Sequence, residues 1–358
     1  MKVTFLIGNG FDLSLGMKTR FADMYDSYIE SASNDKVVEE FKEYLKSNSN
    51  NNYATWGDFE ISMARHVDAY SNEDDFIKCV RDFKGFMARH LQNEQEKFFS
   101  DLNLLDAETV FAELKRSFSD FYSFNTPNVT NSVLEIKKQS KASFYSIIDF
   151  NYTEILDEIY EKTIAFNLYD KPIHIHGRLS ADIVLGADNP DQFENITFPI
   201  SRRLERAFIK PKSNQNFDIS RVNRSKALIE NSDIICVYGM SFGLSDLTWT
   251  SMLYEWLRSN QNHHLFYFGR KKVETSITWL SDELLDIEEI EKQLVLSRIC
   301  KEPEEVDEMI DQVHVPLTND IFMYRELIDK RKQQIAERTA EAEKQNELNA
   351  RRTIGSMA

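Results

Sequence analysis

Four short motifs carry residue types that can bind or transform a ligand, and each stands beside an apolar stretch. The first is Gly8-Asn-Gly-Phe-Asp-Leu-Ser-Leu-Gly16. Glycines at such a turn let backbone N–H groups approach an anion at the next helix N-terminus, so the segment reads as a phosphate cradle. It departs from the usual dinucleotide fingerprint, because Gly16 lies six residues after Gly10 rather than three. A tight strand-to-helix turn without a ligand would use the same glycines. The second and third motifs are Asp149-Phe-Asn-Tyr-Thr153 and His174-Ile-His-Gly177. If the strand continues, alternation puts His174 and His176 on one face. That pair suits a metal if Asp188 or Asp12 adds a ligand from another strand end, and suits a purely structural role otherwise. The fourth, Gly239-Met-Ser-Phe-Gly243, matches the Gly-x-Ser-x-Gly nucleophile elbow, with His263, His264 and His314 downstream as candidate bases. An elbow starts its helix at the serine, whereas Ser245 and Asp246 read as the helix cap here. A glycine-rich loop closing over a ligand explains the same residues.

A basic segment is the remaining chemical feature. From Arg202 to Lys226 there are eight Lys and Arg and two acids, Glu205 and Asp218, a local balance of +6. It would grip a phosphate-bearing ligand or nucleic acid, or form solvated surface paired with acidic helices.

The elements that must hold these residues are legible as apolar runs: Val3–Ile7, Phe144–Phe150, Ile173–His176, Ile183–Leu185, Ile234–Tyr238 and Leu265–Phe268. Short uninterrupted runs of this kind read as buried parallel strands. Amphipathic segments at Thr153–Ile164 and Asp246–Leu257 follow two of them, which is the alternation of an open α/β sheet. Ligands bind such sheets at the carboxyl ends of the strands, where all four motifs fall. Between Asp23 and Ser140 the apolar spacing changes to three and four residues over Val37–Leu45, Trp56–Ala69 and Phe76–Tyr122, which predicts a helical insertion. The polar piece Ser47–Asn52 reads as a loop. From Ser281 the text is again helical, and Asn319–Arg352 becomes a charged tail that projects or pairs with a partner helix.

Composition bounds the function. The chain has 358 residues, 42% hydrophobic and 12% aromatic, enough for a globular core. Its 43 Lys and Arg against 59 Asp and Glu leave a net charge of −16, which opposes a general polyanion coat or a polybasic membrane binder. Cys79, Cys236 and Cys300 are scattered, so no Cys-x-x-Cys pair exists for zinc or redox work. Neither a signal-peptide core nor a membrane-length apolar stretch is present, and a cytoplasmic location is expected.

Taken in order, the motifs resemble the bacterial abortive-infection family AbiH, whose members open with Gly-Asn-Gly-Phe-Asp and carry Asn-Tyr-Thr, His-x-His-Gly and Gly-x-Ser motifs. Trp56-Gly-Asp-Phe-Glu60 and Leu185-Gly-Ala-Asp188 look like further family signatures. The likeness spans most of residues 1–290 and leaves out the C-terminal tail. More distantly, the order is similar to sirtuin-like proteins, in which a Gly-Ala-Gly loop, a strand-end Asn and a His-Gly build an NAD site. That resemblance implies that Asn151 positions the nicotinamide ribose and attacking water while His176 acts as base. Cleavage of an N-glycosidic bond passes through an oxocarbenium-like state that such groups assist without a metal. Thr153 stands where many sirtuin-like proteins have an acid, and the four zinc cysteines of the deacetylases are lacking, so neither deacetylation nor zinc is expected. Asp12 is expected to add negative charge near the implied pyrophosphate.

The expected architecture is therefore α/β, a Rossmann-like (sirtuin-like) open parallel sheet. Its nucleotide-binding core comprises 1–22 and 141–290, with a helical insertion at 23–140 and a helical extension at 291–358. The expected ligand or substrate is NAD or a related nucleotide, held by Gly8, Asn9, Gly10, Asp12, His174, Gly239, Ser241 and Asp246. Two rivals remain: a nucleic-acid-binding or nuclease effector using residues 202–226, and a non-catalytic nucleotide sensor. Either a second copy or a companion defence protein would meet the C-terminal helix.

Overall fold

The computed structural model describes residues 1–47, 56–123, 127–194, 196–269, 281–316 and 320–355. Among them six strands form one sheet: β1 (Lys2–Ile7), β2 (Phe144–Asp149), β3 (Ile173–His174), β4 (Ile234–Tyr238), β5 (His264–Phe268) and β6 (Val313–His314). The order is β3-β2-β1-β4-β5-β6 and every pairing is parallel. This is the Rossmann-like order, in which the chain reverses direction across the sheet between β1 and β4. That switch point leaves a crevice at the carboxyl ends of the two strands. Ile7, aligned with Asp149 on one side and Tyr238 on the other, is the last residue of β1 before it.

Alternation along β1 builds a core on each face, since successive side chains point to opposite sides. Val3, Phe5 and Ile7 join one cluster, where Phe5 stacks on Phe118 at 4.7 Å, while Leu6 joins the other beside Ile148, Ile235 and Val237. Burial on both faces is why these strands read as unbroken apolar runs.

The helices Phe21–Glu30, Lys36–Ser47, Trp56–Arg65, Glu73–Leu102, Ala107–Asp120 and Pro127–Gln139 lie between β1 and β2. Asn72 and Asp106 cap two of them by accepting from the amides of Asp75 and Thr109. The first four of these helices and residues 185–209 share a separate core, in which Phe21 stacks on Phe59 at 4.0 Å. Phe118, Phe121 and Val133, from the end of the insertion, instead cover one face of the sheet. Ser47 closes its helix, and the rest of the Ser47–Asn52 piece lies outside the described residues.

Three expectations change. Ile183–Leu185 is not a sheet strand: it makes one antiparallel bridge to Gly177, because the chain turns back at that glycine (φ 76°). For the same reason β3 ends at His174 and does not carry His176. The tail does not detach at its start. Tyr324 and Ile328 are buried in the sheet core, and the amides of Phe322 and Met323 donate to Ser117 Oγ and Glu113 Oε1, each at 2.7 Å. Only farther along does the helix Tyr324–Gly355 become exposed. The strand Val313–His314 is too short for a periodic signal and has no counterpart among the apolar runs. Among the described residues no helix is long and apolar enough to cross a membrane.

Candidate functional site

A cavity of about 320 Å³ fills the switch-point crevice. Gly8, Asn9, Gly10 and Asp12 enter it from the turn after β1, Asn151 and Thr153 from the turn after β2, and His176 from the turn after β3. Gly239, Ser241 and Asp246 come from the segment after β4. Glu60 from the inserted helices and Lys210 from the basic segment add to its charged lining.

The glycines serve a backbone contact. Gly8 N donates to Tyr238 O (2.8 Å) and Gly10 N to Gly239 O (2.9 Å), so the two turns at the switch point are laced together. Gly239 sits at φ 69°, and a Cβ on Gly10 would lie 2.4 Å from Gly239 Cα. A side chain at either position would push the turns apart. Phe11 N and Leu13 N are occupied by Gly8 O and Asn9 O. These four amides of the expected cradle bond within the protein. Asn9 is tied to Thr19, and Asn151 Nδ2 donates to Gly8 O at 3.2 Å, which fixes its amide against the same turn.

His176 belongs to a chain of charged groups. Its Nε2 lies 3.0 Å from Asp246 Oδ1, Asp246 Oδ1 lies 3.0 Å from Lys210 Nζ, and Lys210 Nζ lies 2.8 Å from Glu60 Oε2. Both ring nitrogens are buried, Nε2 meets only the Asp246 carboxylate, and Nδ1 has no hydrogen-bond partner among the described residues. Burial alone would raise the Asp246 carboxyl, but the Lys210 ammonium and His176 outweigh it and hold it well below its ordinary value. Burial alone would lower Lys210, and the carboxylates of Asp246 and Glu60 hold it above its ordinary value. Lys210 reaches this place because Ala187 N donates to Phe208 O and Lys210 N donates to Ala187 O, docking the helix Lys210–Phe217 beside the 183–187 segment.

A second buried network lies under the cavity. Asp12 Oδ2 accepts from Thr153 Oγ1 at 2.7 Å, while Asp12 Oδ1 is buried without a partner among the described residues. Burial, aided by Asp149, pushes Asp12 up to about 8 against the bond from Thr153. The expected negative charge at Asp12 is thus replaced at neutral pH by a protonated acid. Asp149 is likewise raised by burial to about 7. His174 is bonded through Nε2 to Asp157, with Nδ1 3.2 Å from Asn151 O and 3.6 Å from Asp149. Burial would lower it, and the carboxylates of Asp149 and Asp157 outweigh that and raise it. Lys171 reaches this network only at its outer end, 3.3 Å from Asp157. His174 is not part of the cavity lining. The shared-face expectation for His174 and His176 fails because the strand stops between them.

The other motif readings separate cleanly. Asp188 accepts from Thr248 N and Oγ1 at 3.1 and 3.0 Å, Asp12 from Thr153, and among the described residues no three His, Cys, Asp or Glu gather closely enough to hold a metal ion. The candidate bases do not reach Ser241: His264 starts β5 at the opposite end of the sheet and lies 2.9 Å from His314, and His263 bonds Trp256 O. The basic segment divides: Arg202, Arg206 and Lys212 line a separate pocket of about 270 Å³ with Glu205, and the others go elsewhere. Lys210 is in the cavity, Arg203 pairs with Asp74 and Glu73, Arg221 with Asp182, and Lys226 with Glu230. In the sequence, Lys210 stands only inside a charge count and Glu60 only inside a signature. The available signal for Glu60 was an acid on the helix stripe that also buries Phe59 and Met63.

Compared with known proteins, the family model described as bacteriophage abortive infection AbiH matches residues 4–268. No curated protein and no solved structure matches the chain. The matched span holds every cavity residue named above.

Proposed function

The chain belongs to the bacteriophage abortive-infection family AbiH, and from that membership we propose that it acts in phage defence by binding and hydrolysing NAD or a related nucleotide in the switch-point cavity. The single observation that carries this reading is His176: a cavity-lining imidazole, 4% exposed, with Nε2 beside an ionised Asp246 and Nδ1 without a hydrogen-bond partner among the described residues. A carboxylate next to Nε2 favours a proton on that nitrogen and leaves Nδ1 as the base. In the proposed reaction His176 removes a proton from water, the water oxygen bonds C1′ of the ribose, and the C1′–N bond breaks. Nicotinamide leaves as a neutral molecule, so that substrate needs no proton donor. Asn151, fixed by Gly8 O, orients the ribose or the water. Arg20, whose Nε pairs with Asp23, and Arg298, whose Nη1 donates to Ser241 O, line the cavity and keep further N–H groups for a phosphate. A cavity of about 320 Å³ is within the range of small-ligand sites.

Nicotinamide release from NAD by the purified chain, with and without phage lysate, tests the proposal. Asn151→Ala and His176→Ala are expected to lower release by about 100-fold or more. Absence of both release and calorimetric NAD binding overturns it.

A further inference from the structure

We infer that Asp12 is a general acid that protonates the leaving base, so that the same cavity cleaves purine nucleotides as well as NAD. The inference rests on the hydrolase reading above and adds the half of the reaction that NAD does not require. Thr153 donates to Asp12 Oδ2, so the proton of the neutral acid resides on Oδ1. That oxygen is buried, has no partner among the described residues, and belongs to a residue that lines the cavity. Asp12 is 1% exposed and no described lysine or arginine is bonded to it to ionise it; the titratable groups facing it are Asp149 on β2 and His174 on β3. With Asp149 raising it and His174 opposing, burial keeps the group protonated below about pH 8. His176, beside an ionised carboxylate, is placed as the base in the same cavity. One acid and one base around a reacting anomeric carbon is the arrangement that direct displacement by water needs.

The step balances without a co-reactant. His176 takes one proton from water, the water oxygen bonds C1′, and the C1′–N9 bond breaks. Its electron pair passes to the purine, and Asp12 supplies the proton that makes the departing base neutral. Asp12 regains a proton from solvent or from the imidazolium. A pyridinium such as nicotinamide leaves neutral without that proton. The proton on Asp12 is thus required for one substrate class and not for the other.

The test is base release from NAD, AMP and GMP by the full chain and by Asp12→Asn, which keeps the acceptor for Thr153 but cannot transfer a proton. Purine release is expected to fall by about 100-fold, and by about tenfold or more beyond any fall in nicotinamide release, whose leaving group needs no proton. On the unmodified chain, the ratio of purine to nicotinamide release is expected to fall as pH rises through about 8, where Asp12 loses its proton. The ratio removes the contribution of His176, which serves both substrates, and needs no variant to fold. Cleavage of NAD with no cleavage of either purine nucleotide overturns the inference and spares the hydrolase reading. Equal losses on both substrates in a folded Asp12→Asn chain overturn it as well. No release from any of the three overturns the hydrolase reading and the inference together.

Discussion

Two buried acid-rich networks meet at the cavity, and they differ in where a lysine sits. In Glu60–Lys210–Asp246–His176 the ammonium lies within 3.0 Å of both carboxylates, and Asp246 is held ionised although it is inside the protein. In the other network Lys171 touches only the outlying Asp157, and the floor carboxylates Asp12 and Asp149 are raised to about 8 and about 7. Burial is common to the two. Between Asp246 and Asp12 the difference is the ammonium beside the first, because desolvation penalises only the charged form and an adjacent full charge offsets it. One crevice of the fold thereby holds an ionised carboxylate beside His176 and a protonated acid.

The strongest way to break the contrast is to remove the lysine. Lys210→Met leaves Glu60 and Asp246 facing each other in the interior, and the expected loss of stability is about 3–5 kcal/mol by chemical denaturation. An unchanged midpoint would mean that the lysine does not hold the pair.

Asp12→Asn is the opposite manipulation and is expected to stabilise. The folded-state pKa of Asp12 lies above its unfolded value of 3.8, so its favourable contribution is complete below about pH 4 and is lost as pH rises through about 8. Asparagine has no such proton to lose. The gain in stability by chemical denaturation is expected to reach a few kcal/mol at pH 8 and to shrink toward pH 4, because each pH step between the two values is worth about 1.4 kcal/mol. A gain independent of pH contradicts the protonated acid.

The two histidines give a smaller, sharper test. His174→Ala strips buried partners from Asp157 and Asn151 O and is expected to cost about 1–3 kcal/mol of stability. His176→Ala removes only the contact with Asp246, which keeps Lys210, and its melting temperature is expected to stay closer to that of the unmodified chain while base release is lost. Equal destabilisation by both variants would make His176 a structural residue. Least affected should be Arg203→Ala. Its ion pair with Asp74 is solvent-exposed, and no measurable change in melting temperature is expected.

How much of this was legible follows from range. Val3–Ile7 and Ile234–Tyr238 announced themselves because strands buried on two faces must be apolar throughout. Asn151 and His176 were legible because they stand just after apolar runs, where an α/β sheet places its ligands. Val313–His314 was not, since two residues carry no period. Spacing misled at His174 and His176, because alternation holds only while a strand continues and Gly177 ends it.

The sequence by itself determined the α/β class, the helical text between the first two strands, and the motifs whose order resembles the AbiH family. It also placed those motifs at strand ends. Only the tertiary structure decided which charges meet. Glu60, Lys210 and Asp246 are far apart in the chain, and the glycines of 8–10 and 239 are needed because two distant turns pack backbone to backbone. Protonation belongs to the same category. An aspartate in a sequence is an anion by default, and Asp12 becomes an acid only once folding has removed its water and set no lysine or arginine beside it.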